Sequence, residues 1–98
     1  KERNKMRLEE RLDTAKLQIT DVKAKQHGDA KESFVFIAKL WSAYLGIRIS
    51  ADDVGQLMSL LKIGRSKFGD YNVDDYVDSI GYQALAAWLK KLKIEGPM

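Results

Sequence analysis

Two pairs of charged residues stand where helical segments usually place apolar ones: Lys62 with Arg65 in "LLKIGRSKFG", and Asp74 with Asp78 in "YNVDDYVDSIGY". Residues three or four apart share one side of a helix, so each pair projects from a single face. Two neighbouring cations suit a phosphate through charge-assisted hydrogen bonds, and two carboxylates suit Mg²⁺ when phosphate oxygens complete its shell. Tyr82 lies one turn beyond Asp78 on the same face. Glu32, in "HGDAKESF", opens another helical segment and is the third candidate metal ligand beside Asp74 and Asp78. The free N–H groups of that segment's first turn would also attract an anion. His27 precedes this turn and is the only histidine, which excludes a multi-histidine metal site and most histidine-based triads. The same charges equally suit a salt-bridge network locking two helices, with Asp74 and Asp75 against the helix dipole.

The elements that must position these residues are helical. The only proline is Pro97, so nothing before it forbids long helices. Leu8, Leu12, Ala15, Ile19 and Val22 step by four, three, four and three, an a/d seam on a helix over residues 2–26. Such a helix would run about 35 Å, longer than its neighbours can cover, so its early turns are expected to project or to pair with another chain. His27-Gly28-Asp29 breaks the pattern. Phe34, Ile37, Ala38, Trp41, Tyr44 and Leu45 form the expected buried stripe of a second helix over 30–45, closed by Gly46. Ser50 and Asp53 form a capping-box start for a third helix, whose expected core stripe is Val54, Leu57, Met58 and Leu61 and which ends near Phe68-Gly69. A last helix opens at Asn72 or Val73 and carries Val77, Ile80, Ala84, Leu85, Trp88, Leu89 and Leu92. "GIRIS", at 46–50, reads as an extended linker.

The expected fold is all-α, an antiparallel bundle of about four helices. The long first helix occupies 1–26 and the helical core 27–95, within one domain. Gly55, Gly64 and Gly81 each cost about 1 kcal/mol relative to alanine inside a helix, and so point to close backbone approaches.

Composition narrows the function classes. No cysteine is present, so disulfides and Cys-ligated metals are excluded and a reducing, cytoplasmic setting is expected. No apolar run approaches the roughly 18 residues of a membrane span, and the first residues show no signal-peptide pattern, so neither is expected. The chain starts at Lys1 rather than a methionine and is expected to be part of something longer. With a net charge of +3, and acids mixed among the bases of the first helix, DNA is not an expected partner.

The order "HGDAKESFVFIAKLWSAYLG", "ISADDVGQLMSLLKIGRSKFG" and "DDYVDSIGYQALA" resembles a small all-helical family of tailed phages and prophages, over about residues 19–89. In that family the first block reads Arg, three residues, Tyr-Gly, then Glu-Asn-Phe and an "IAxLW" helix. Here Lys23 stands at the arginine, His27 at the tyrosine, and Glu32-Ser33-Phe34 at Glu-Asn-Phe. The second block, "KxxR" then "DxxxDxxGY", is kept in Lys62, Arg65, Asp74, Asp78, Gly81 and Tyr82. The family is similar to phage domains linked to nucleotide modification and, more distantly, to the MazG-type all-α pyrophosphohydrolases, which bind Mg²⁺ through Glu-x-x-Glu and Glu-x-x-Asp helices. This chain departs from that pattern, with Val35 or Phe36 where a second glutamate would stand. The resemblance implies a ligand set of Lys23, His27, Glu32, Lys62, Arg65 and Tyr82, and a setting in the cytoplasm of a bacterial host.

Two functions compete. One is binding of a nucleotide or phosphate ligand, with Mg²⁺, in nucleotide metabolism or counter-defence. The other is a non-enzymatic interaction module, which homo-oligomerises through helix one or docks a host or phage protein. Whether the chain catalyses a reaction is left open by its residues.

Overall fold

The computed structural model describes residues 7–17 and 30–95. They form four helices: α1 (Leu8–Leu17), α2 (Ala30–Leu45), α3 (Ala51–Phe68) and α4 (Val73–Glu95). No strand occurs among the described residues, and the fold is an all-α bundle. None of these helices is long and apolar enough to cross a membrane. The antiparallel hairpin of α3 and α4 is its main packing unit; α2 lies across α3, and α1 lies against α4.

Local chemistry sets the boundaries. Gly46 ends α2 with a left-handed φ of 74°, and its N–H donates to the Ser42 carbonyl at 2.8 Å. The linker then folds back: the Ile49 N–H donates to Ser42 Oγ at 2.8 Å, and that hydroxyl donates to the Ile49 carbonyl. Ser50 caps α3 in a complete capping box, accepting from the Asp53 N–H while the Asp53 carboxylate accepts from the Ser50 N–H. Asn72 Oδ1 accepts from the Asp74 N–H at 3.0 Å and so opens α4.

Phe34, Ala38, Val54 and Leu89 form a buried cluster, with Ile37, Trp41, Met58, Tyr82 and Leu85 packed around it. Burying a side chain of Phe or Leu size contributes about 1.5–3 kcal/mol. The expected stripe of α2 holds through Trp41, but Tyr44 and Leu45 are exposed because the helix runs past its cover on α3. Helix α3 differs more. Its buried residues are Asp52, Val54, Gly55 and Ser59, while Leu57 and Leu61 face solvent. Small and polar residues won that face because α4 comes too close for leucine. A Cβ on Gly55 would lie 2.9 Å from the Ala86 Cβ and 3.1 Å from the Tyr82 carbonyl oxygen. On α1, Ala15 is buried but Leu8 and Leu12 are largely exposed, so only part of the seam is used within the described residues; Ile19 and Val22 lie outside them.

Asp52 ties the start of α3 to the end of α4, 3.4 Å from Lys93 Nζ, and accepts from the Ser50 hydroxyl at 2.7 Å. Burial pushes its pKa up, yet Ser50, Lys93 and its own N–H outweigh this and hold it below the ordinary 3.8.

Gly55→Ala is expected to destabilise the fold by about 1–3 kcal/mol through overpacking, whereas Gly64→Ala, which meets no described atom within 4 Å, should stabilise it by up to about 1 kcal/mol. Urea unfolding of both variants measures the contrast. A carboxylate whose pKa is lower folded than unfolded adds stability above its unfolded value, lost as pH falls toward the folded one. Asp52 therefore contributes above about pH 4 and loses its contribution below that. Stability profiles of the wild type and Asp52→Asn should converge in acid, and parallel profiles would refute the assignment.

Candidate functional site

Lys62 and Asp78 face each other across the α3–α4 hairpin, with Nζ and Oδ2 3.0 Å apart and both side chains about four-fifths shielded. One turn nearer the hairpin tip, Arg65 Nε lies 3.5 Å from Asp75 Oδ1. Three residues forward on α3 answer to three back on α4, the register of an antiparallel pair. Two further polar contacts continue this ladder away from the tip. Ser59 Oγ lies 2.8 Å from Ser79 Oγ, and Gln83 Nε2 donates to Gln56 Oε1 at 2.6 Å.

Lys62, Arg65 and Asp78 thus come together with Asp75 at the tip half of the hairpin. Lys62 pairs with Asp78, while Asp74 is exposed in the first turn of α4. Tyr82, a turn beyond Asp78, packs on Phe34 of α2 with ring centroids 6.4 Å apart. That contact places Phe34 of α2 against the turn of α4 that follows Asp78. Glu32 does not join. It is two residues from Phe34 and so points to the far side of α2, where it borders a groove with Lys31, Val35, Phe36 and Lys39. Among the described residues no three acidic or histidine side chains converge in a way that could hold a metal ion. Lys23 and His27 lie outside the described residues.

Sequence reasoning missed Asp75. Its side chain is only 6% exposed, whereas that of Arg65 remains 60% exposed. The signal was available in the hairpin itself: once Lys62 is set against Asp78, antiparallel register sets Arg65 against Asp75 rather than Asp74. Asp75 also sits where the positive end of the α4 dipole favours a carboxylate. Electrostatically the site is two cations held in fixed positions by two acids, with the outer face of Arg65 and the carboxylate of Asp74 toward solvent. Such an arrangement can receive an anion at the cations and a cation at Asp74.

The family described as "Domain of unknown function (DUF6378)" matches residues 10–90. The chain is 40% identical over 84 residues to the Gene 55 protein of Mycobacterium phage L5, covering 85% of this chain and 52% of that protein. It is 36% identical over 85 residues to the Gene 55 protein of Mycobacterium phage D29, covering 87% of this chain and 56% of that one. The chain therefore spans about half the length of these curated relatives. No solved structure matches it significantly.

Removing Arg65 should leave the buried Asp75 carboxylate without its cation, so Arg65→Met is expected to cost about 1–3 kcal/mol. Adding Asp75→Asn should recover most of that loss. A double mutant no more stable than the single one, by chemical denaturation, would show the pair to be unimportant.

Proposed function

Starting from a chain that belongs to the DUF6378 family and is similar to the Gene 55 proteins of two mycobacteriophages, we propose that it binds a nucleotide through its phosphate groups. The observation that supports this reading is the pairing of Lys62 with Asp78 and Arg65 with Asp75 at one end of the hairpin. In it, Arg65 offers its exposed guanidinium to a phosphate oxygen and Lys62 stands behind as a second positive charge. Tyr82, partly exposed and packed on the buried Phe34, would flank the ligand.

Mg²⁺ enters this reading as an ion carried by the phosphate. Asp74 and Asp78 are the two carboxylates on the near face of α4, and Asp78 is already balanced by Lys62. Mg²⁺ is commonly held by one or two carboxylates together with phosphate oxygens, which is what this face can offer. The proposal is of binding, and no reaction step is assigned to the ion.

Calorimetric titration with nucleoside mono-, di- and triphosphates and cyclic nucleotides, with and without Mg²⁺, tests the reading. Lys62→Ala and Arg65→Ala should each weaken binding about ten- to hundredfold, the worth of a hydrogen bond to a charged group. Asp74→Asn should remove the Mg²⁺ dependence alone, and Glu32→Gln should change nothing. Silence across the whole panel would end the proposal.

A further inference from the structure

On α3, Leu57, Leu61, Gly64 and Phe68 recur at four, three and four residues, the spacing of a helix–helix seam. They stand opposite the α4-facing side that carries Gly55, Ser59 and Lys62, and are 40%, 51% and 95% exposed at Leu57, Leu61 and Phe68. Leu60, 61% exposed, flanks them. Gly64 sits in the middle with no described atom within 4 Å of where its Cβ would be. Gly55 is required by Ala86, whereas among the described residues nothing lies close enough to require a glycine at position 64.

A hollow of about 510 Å³ lies beside Gly64, walled on α3 by Leu60, Leu61, Arg65 and Phe68 and at the hairpin tip by Asp70, Asn72 and Asp75. Leu61, Gly64, Arg65 and Phe68 are residues i, i+3, i+4 and i+7, the four that form the hole for a knob from a facing helix. Taking about 200 Å² for a fully exposed side chain of this size, the four large residues leave roughly 500 Å² of apolar surface. That is more than half of the roughly 800 Å² each partner contributes to a standard interface.

We infer that a second copy of the chain packs its α3 antiparallel against this seam, forming a twofold dimer. With the axis between Lys62 and Ile63, Leu61 of each copy enters the hollow beside the other's Gly64, and Leu57 meets Phe68. The bulky residue of one helix finds the small one of its mate, and the stem of Arg65 covers Leu60. A single sequence fills its own hole in this register. The dimer does not rest on the nucleotide reading but shares Arg65 with it: Lys62 points to the opposite side of α3 from Gly64, whereas Arg65 lines the hollow, so the variants below change Leu61 and Gly64 and leave Arg65 in place.

Light scattering of the full chain should give twice its 11.1 kDa. Leu61→Glu and Gly64→Leu should yield monomers of unchanged helicity, the second because its new side chain meets nothing in its own protomer. Leu40→Glu, on the exposed apolar stripe of α2, should remain dimeric. The chain has no cysteine, so oxidising Leu61→Cys mixed with Gly64→Cys should join the two, while neither variant alone should cross-link. A single-chain mass at every concentration, association only with a foreign protein, or loss of the dimer in Leu40→Glu but not Leu61→Glu would overturn the inference. So would cross-linking of either variant with itself alone.

Discussion

The close approach of α3 and α4 at Gly55 is the constraint on which the described structure depends. With Ala86 where a Cβ would stand 2.9 Å away, the two helices can meet only over small residues. That proximity brings Ser59 to Ser79 and Lys62 to Asp78, contacts too short to survive a wider separation. The interface is consequently polar along much of its length. Hydrogen bonds and ion pairs specify how the helices align, and the apolar cluster around Phe34, Ala38, Val54 and Leu89 supplies the burial.

This division of labour explains the placement of charge. Lys62 and Asp78 are shielded enough to hold one geometry, whereas Arg65 keeps much of its surface in water while steadying a buried acid. Partly shielded pairs are poor sources of stability but good sources of fixed position. An anion meeting such cations would find them already oriented, so less side-chain freedom would be lost on binding.

Much of the architecture was legible because it is written in local chemistry. The Ser50–Asp53 capping box, the Gly46 termination and the Asn72 start are signatures of a few adjacent residues, and each stands where its residue types require. The buried side of α3 was not legible. Apolarity pointed to Leu57 and Leu61, yet packing distance chose Gly55 and Ser59, and distance between helices is not a property of one segment. The meeting of Lys62 with Asp78 could be foreseen because their helices flank one short turn, whereas Arg65 found Asp75 rather than Asp74. Glu32 could not be placed, since its direction depends on how α2 rolls to set Phe34 against Tyr82.

The corner between α2 and α3 has a mechanical meaning. Ser42 grips Ile49 through two hydrogen bonds, and Ile49 adjoins the cap of α3, so the bend is braced from inside. Tyr44 and Ile47 protrude on either side of it, 89% and 60% exposed. Anything that took hold of this protruding tip would pull on a lever whose fulcrum is stiff, and the tug would reach the foot of the hairpin instead of dissipating in a slack connector.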